Sequence, residues 1–230
     1  MQIKLGKLNH KMKIKAILFD VIGTTVLEKN THTIKNCLVT AFEEYGITIN
    51  DDIITSNRGK DKLEMIRLIL QKENLDDRLA KLIFRSFKKN IDDSMQNFQA
   101  NNNADYLFKF LKNKGIKIGI GTGLPREQLD NIMKHLNWTV NDFDFVSTSN
   151  EIGKTRPNPA MILKMIKKFK IKNRDEFLKI GDTITDIREG KNASVKTAVL
   201  LSGTQDKKHL KSERPDYLLN DLIEVIQIVK

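Results

Sequence analysis

The stretch AILFDVIGTT, residues 16–25, decides how the chain reads. An apolar run stops abruptly at Asp20 and gives way to Gly23, Thr24 and Thr25. A buried strand that delivers a carboxylate to its C-terminal end, followed by a glycine turn, is how an open α/β sheet presents a reactive group. Taken alone, an Asp at such a place is more often a turn or helix cap. Its meaning depends on what the rest of the chain brings to it.

The second half of the chain repeats the pattern. Residues 116–121 (IKIGIG) form a strand that ends in Thr122-Gly123, residues 143–147 form another, and residues 177–180 run into Gly181-Asp182. Further strands are predicted over 197–201 and 217–219. Helices are predicted over 104–114, 126–136, 159–169 and 186–192. Strand and helix in alternation imply parallel β-α-β units with right-handed crossovers. Residues 26–103 differ. Apolar residues at helical spacing mark helices over 31–45, 51–55, 60–72 and within 75–98, the last with Leu79, Leu82, Ile83 and Phe87, and no strand signal is read between them. The expectation is an α/β core (1–25 and 104–230), a parallel sheet flanked by helices, interrupted by an inserted all-helical cap (26–103).

Composition narrows the function classes. One cysteine, Cys37, rules out an internal disulfide framework and fits a reducing, cytoplasmic setting. Four scattered histidines form no zinc spacing. No apolar run is long enough to span a bilayer, and the basic N-terminus has no apolar signal core. The net charge of +11 is mostly lysine interleaved with carboxylates along helices, with few aromatics to stack bases. It reads as solvated helix faces and attraction to an anionic substrate, not as a nucleic-acid surface.

The polar strand ends share one crevice in a doubly wound sheet. Asp20 and Asp182 would approach each other there, with Asp186 one helical turn beyond Asp182. Close carboxylates repel unless protonated or metal-bound, and hard oxygen ligands beside a phosphoryl site point to Mg²⁺. Thr122 and Arg156 would complete an anion pocket. The chemistry suggested is attack by Asp20 on phosphorus.

In order and at matching spacing, Asp20-Val-Ile-Gly-Thr-Thr, Thr122-Gly123, Arg156-Pro and Gly181-Asp-Thr-Ile-Thr-Asp186 resemble the four motifs of the haloacid dehalogenase superfamily. That resemblance implies a Rossmann-like core, Mg²⁺ and phosphoryl transfer. It implies Asp20 as nucleophile and metal ligand, with a metal bond from the Ile22 backbone carbonyl and from Asp182, and with Asp186 as a direct or water-mediated ligand. It further implies substrate contacts from Thr24, Thr122 and Gly123, with Arg156 on the phosphate. Ile22 replaces the usual acid of the family's phosphatases and Arg156 their usual lysine. Both replacements are similar to the phosphonatase (phosphonoacetaldehyde hydrolase) branch. Met65 and Leu124 stand where phosphonatase proper has His and Tyr, which aligns the chain with the phosphonatase-like relatives. A dimer formed through the caps is implied by the same likeness.

That branch uses a cap lysine that forms a Schiff base with its aldehyde substrate. Residues 59–67 (GKDKLEMIR) match the corresponding segment, with Lys62 at the lysine position and Gly59 placed to let the backbone approach substrate. The helical wheel agrees independently, since Lys62 falls with Met65, Ile66 and Ile69 on the apolar face. A lysine in a first helical turn, near Arg58 and Lys60, is easier to deprotonate. The expected reaction is C–P hydrolysis of phosphonoacetaldehyde or a related aldehyde. The alternatives are a phosphate-ester phosphatase acting on a small metabolite and a non-catalytic regulatory protein that kept the fold.

Overall fold

The computed structural model describes residues 13–30, 32–203 and 205–230. The basic lead at 1–11 and Thr31, where the first cap helix is predicted to begin, lie outside them. In chain order the strands are β1 (Ala16–Phe19), β2 (Val26–Glu28), β3 (Phe98–Ala100), β4 (Lys117–Thr122), β5 (Phe145–Thr148), β6 (Phe177–Gly181), β7 (Lys196–Leu200) and β8 (Tyr217–Leu219). Six of these form one parallel sheet among the described residues, in the order β5-β4-β1-β6-β7-β8.

β1 is fully buried because both faces of the sheet are covered, which is why it reads as a continuous apolar run. Its side chains alternate. Ile17 and Phe19 join the larger core with Ile118, Ile120 and Leu178, and Ala16 and Leu18 pack on the other face with Met161, Ile162 and Met165. β4 and β6 flank β1 on opposite sides. The chain therefore leaves the centre in both directions, and the crevice opens over the C-terminal ends of these three strands.

Four helices, α1 (Thr33–Glu43), α2 (Asp51–Ser56), α3 (Lys62–Lys72) and α4 (Leu79–Asp93), lie between β2 and β3. α4 packs against both α1 and α3. Its inward stripe is Ala80, Ile83, Phe87 and Ile91, and Leu82, expected among the apolar contacts, is 39% exposed. The absence of strands in this stretch also needs correction: β2 and β3 pair antiparallel, Val26 opposite Ala100 and Glu28 opposite Phe98. Three residues per strand are too few to register as alternation; the two crossings into and out of the insert pair because they run side by side.

The remaining helices are α5 (Ala104–Asn113), α6 (Arg126–His135), α7 (Ser149–Ile152), α8 (Ala160–Phe169), α9 (Ile184–Asn192), α10 (Lys207–Ser212) and α11 (Val225–Val229). No helix among the described residues is long and apolar enough to cross a membrane.

Candidate active site

Asp20 follows the last residue of β1, Thr122 ends β4, and Asp182 follows β6. All three are buried. The turn after Asp20 closes by backbone bonds from Thr24 N and Thr25 N to the Val21 carbonyl. Gly23 sits at φ +86° in this turn, and a Cβ there would run into the Asp182 carboxylate. The glycine thus serves both a left-handed backbone and a close approach of two strand ends. Thr24 Oγ1 donates to Asp182 Oδ1 at 3.3 Å, and Thr25 Oγ1 donates to the Asp20 carbonyl at 3.0 Å.

Asp186 is held by a capping box at the start of α9. Thr183 is the N-cap, and Asp186 Oδ2 accepts from Thr183 Oγ1 at 2.5 Å and from its N–H at 3.2 Å. This aims Asp186 Oδ1 away from the cap, 2.8 Å from Lys179 Nζ and 3.3 Å from Arg156 Nη1. Carboxylate oxygens of Asp20, Asp182 and Asp186 lie within 4.8 Å of one another.

Arg156 is buried and joins these parts. Its Nη1 donates to Asp20 Oδ1 at 2.7 Å and to the Gly121 carbonyl at 3.2 Å, while Nε donates to the Gly59 carbonyl at 2.9 Å. Below it, Lys179 and Glu189 form a second buried ion pair at 3.6 Å, and Glu189 stands 4.0 Å from Arg156 Nε. Sequence reasoning missed these two residues. A lysine inside the otherwise apolar run of β6 was the available signal, together with Glu189 one turn after Asp186 on the same helix face.

The electrostatics bear on a metal. Burial and the charge of Asp186 push the Asp20 carboxyl above its ordinary range, against the pull of Arg156 and Lys179. Burial opposes ionisation of Asp186 too, but Lys179 and Arg156 outweigh it and hold this carboxyl low. Asp20, Asp186 and Glu189 share the buried cations Arg156 and Lys179, and the buried Asp182 accepts from Thr24. Asp20, Asp182 and Asp186 give a clustered, all-oxygen donor set, which fits a hard divalent cation such as Mg²⁺. Such an ion would relieve the repulsion that raises Asp20.

The insert reaches into this crevice through the loop before α3. Thr185 Oγ1 donates to the Arg58 carbonyl at 2.6 Å, and Gln205 Nε2 donates to the Thr55 carbonyl at 3.2 Å. Gly59 has φ +82°, and a Cβ there would lie 2.8 Å from Thr185 Cβ and 3.1 Å from Arg156 Nη2. A Cβ on Gly123 would collide with the Lys60 carbonyl oxygen. Gly123 lets the loop and the end of β4 touch backbone to backbone, and Gly59 lets the loop lie against the Thr185 and Arg156 side chains.

Asp61 caps α3, accepting from Glu64 N at 3.0 Å, so Lys62 occupies the first position of the helix. Its side chain is buried on the face shared with Met65, Ile66 and Ile69, and Nζ donates to the Lys60 carbonyl at 3.1 Å. Burial first, then the charge of Arg156, lower its pKa to about 8. A cavity over the strand ends is lined by Asp20, Ile22, Gly59, Lys62, Thr122, Gly123 and Arg156 of the expected residues. Thr24, Asp182 and Asp186 are buried and do not line it. The arrangement sets a carboxylate, a guanidinium and a weakly basic amine around one small space.

Comparison with known proteins agrees with this geometry. A phosphonoacetaldehyde hydrolase from Bacillus cereus is 24% identical over 233 residues, covering 95% of this chain and 88% of that protein. The structure of a hydrolase from Pseudomonas syringae superimposes with a TM-score of 0.82 at 20% identity, covering 93% of this chain and 96% of the other. That of a phosphonoacetaldehyde hydrolase like protein from Oleispira antarctica gives 0.79 at 16% identity, covering 99% and 95%. At these identities the structural likeness speaks for the fold. The profile of the haloacid dehalogenase-like hydrolases matches residues 17–200, and the chain belongs to that family.

Proposed function

We propose that the protein is a Mg²⁺-dependent, phosphonatase-like hydrolase. In this reading it breaks the C–P bond of phosphonoacetaldehyde or a related carbonyl phosphonate. Lys62 is the amine that forms a Schiff base and Asp20 the group that accepts phosphorus. The observation that carries the reading is the Lys62 amine, buried in the wall that also holds Asp20, Thr122 and Arg156, with a pKa near 8. A neutral amine is what condensation with a carbonyl requires.

Lys62 Nζ adds to the carbonyl carbon, and water leaves as the protonated imine forms. The C–P bonding pair then moves onto carbon, giving an enamine, while an Asp20 carboxylate oxygen bonds to phosphorus. The enamine takes a proton on carbon and is hydrolysed, which releases acetaldehyde and frees Lys62. A second water removes phosphate from Asp20. Because the imine stabilises the carbon leaving group, Ile22 at the usual acid position is no obstacle.

Arg156 and Thr122 orient the phosphoryl oxygens, with Gly59 and Gly123 allowing the backbone to close around them. Thr24 acts by fixing Asp182. Asp20, Asp182, Asp186 and the Ile22 carbonyl are the groups that would hold Mg²⁺, which when bound offsets negative charge on the transferred group. Residues 26–103 serve as a cap that opens and closes over a core of 1–25 and 104–230.

The reading is tested by phosphate release from phosphonoacetaldehyde. Lys62→Ala is expected to abolish it. A phosphate-ester activity that is equal in the wild-type and Lys62→Ala proteins, with none on the phosphonate, would favour an ester phosphatase instead.

A further inference from the structure

Resting on the reading above, the two sides of the cavity divide the substrate between them. The core side supplies Asp20, Thr122 and Arg156, the groups that in that reading meet the phosphoryl end. The insert's side supplies Lys62, the amine that meets the carbonyl, and four residues before it Arg58, to which no role has been given.

Arg58 lies in the loop between α2 and α3 and is fixed at both ends. Its carbonyl accepts from Thr185 Oγ1 of α9 at 2.6 Å, and its Nη2 lies 3.4 Å from His32 Nδ1. Between these anchors Nε is buried and has no hydrogen-bond partner among the described residues. A buried N–H without an acceptor is costly, and native structures keep few of them. The charge of Arg58 also helps to lower the pKa of Lys62, so the guanidinium and the amine are neighbours. Nothing else on this side does the same work. Lys35 pairs with Asp51, and Lys62 Nζ must itself attack. Ile34, Leu38, Ile54, Met65 and Leu124, which complete the lining around them, carry no side-chain N–H or O–H. The carbonyl oxygen of a substrate placed between Lys62 and the phosphoryl pocket needs a donor, and Arg58 Nε needs an acceptor.

We infer that Arg58 Nε donates to the carbonyl oxygen of the bound substrate, which makes Arg58 a catalytic residue for imine formation. As Lys62 Nζ bonds to the carbonyl carbon, the C=O π pair moves onto oxygen, where the Arg58 N–H meets the growing negative charge. One nitrogen proton passes to that oxygen, and a second proton is taken from solvent. The C–O bond then breaks with its pair, and water leaves as the protonated imine forms. Arg58 keeps its protons throughout.

The experiment separates this contact from imine chemistry with two ligands that cannot condense with an amine. 2-Hydroxyethylphosphonate and propylphosphonate differ by a hydroxyl in place of a methyl group at the carbonyl position. Calorimetry of the full-length protein with Mg²⁺ is expected to show the hydroxyl compound bound at least about tenfold tighter, the worth of a charge-assisted hydrogen bond. In Arg58→Met, which keeps an unbranched stem without an N–H, the ratio should fall to about one, with propylphosphonate bound as in the wild type. Single-turnover borohydride trapping of phosphonoacetaldehyde on Lys62 should slow about a hundredfold in the same variant. No preference in the wild type, a preference that survives in Arg58→Met, or trapping at the wild-type rate in the variant would overturn the inference. So would equal weakening of both ligands, which would make Arg58 an anchor for the phosphoryl group. A preference that depends on Arg58, with no trapping on Lys62 in the wild type, would retain the arginine's contact with an oxygen at that carbon and overturn the Schiff-base reading instead.

Discussion

Lys62 concentrates the account at the scale of a single residue. Its pKa of about 8, lowered from the ordinary 10.5 by burial and by Arg156, fixes two signs. The neutral amine becomes the majority form above pH 8, so the rate of imine formation should rise with pH and level off above that value. A pH profile of single-turnover trapping measures this, and Lys62→Arg should show no trapping at any pH. Stability follows the same titration. Between pH 8 and 10.5 the unfolded chain holds a proton that the folded chain has released, so folding stability gains as pH rises through that window. Arg156 supplies the second residue-scale test. Arg156→Ala leaves Asp20, Asp186 and Glu189 facing one another without their shared cation, and removing one partner of a buried pair costs about 3–5 kcal/mol in a urea titration. Asp20, Thr122 and Asp182 were legible from sequence because each ends an apolar run. Lys179 and Glu189 were not, because a buried charge is explained only by the partner that the fold brings to it.

At the scale of elements, α9 and β6 show how the second layer is built. Lys179 rises from the middle of β6 to meet Asp186 and Glu189, one turn apart on α9. Gly190 permits this closeness, since a Cβ there would press on Thr197 and lie 3.3 Å from Lys179 Cβ. Lys179→Met should therefore destabilise the protein by about 3–5 kcal/mol, as an unpaired buried carboxylate does. Adding Glu189→Gln should recover part of the loss, and a double-mutant cycle by denaturant titration reads the coupling. Most helices and strands were predictable to within a residue or two because apolar periodicity and glycine stops mark them. β2 and β3 escaped because three-residue strands carry no periodicity, and Leu82 misled because α4's buried stripe passes beside it. On α3 the wheel was informative: spacing puts Lys62 on the face of Met65, Ile66 and Ile69, and the fold buries it there.

For the whole molecule, the account requires the helical insert to meet the core over the strand ends. Over the crevice the described contacts are polar, Arg156 to Gly59 O, Thr185 to Arg58 O and Gln205 to Thr55 O; beside it, Gln128 and Asn131 of α6 donate to Asp92 of α4, and apolar side chains of both parts join one core cluster. In the proposed reading the cap opens over the core, and hydrogen bonds across the crevice then matter to turnover more than to folding. Thr185→Val removes one such bond, worth about 1 kcal/mol, and should lower kcat/KM by roughly fivefold with a fall in Tm of no more than about 2–4 °C. Alternation of strand and helix, broken by one helical stretch, made this architecture readable from sequence; the loop contacts were not, because they join backbone carbonyls that carry no residue signature. The most direct test of the central claim is reductive trapping. The protein is incubated with phosphonoacetaldehyde and Mg²⁺, reduced with borohydride, and the adduct mapped by mass spectrometry beside Lys62→Ala. The account predicts a reduced two-carbon adduct on Lys62 with phosphate released, and none in the variant. Phosphate release with no adduct on Lys62, or an adduct that persists in Lys62→Ala, would contradict it.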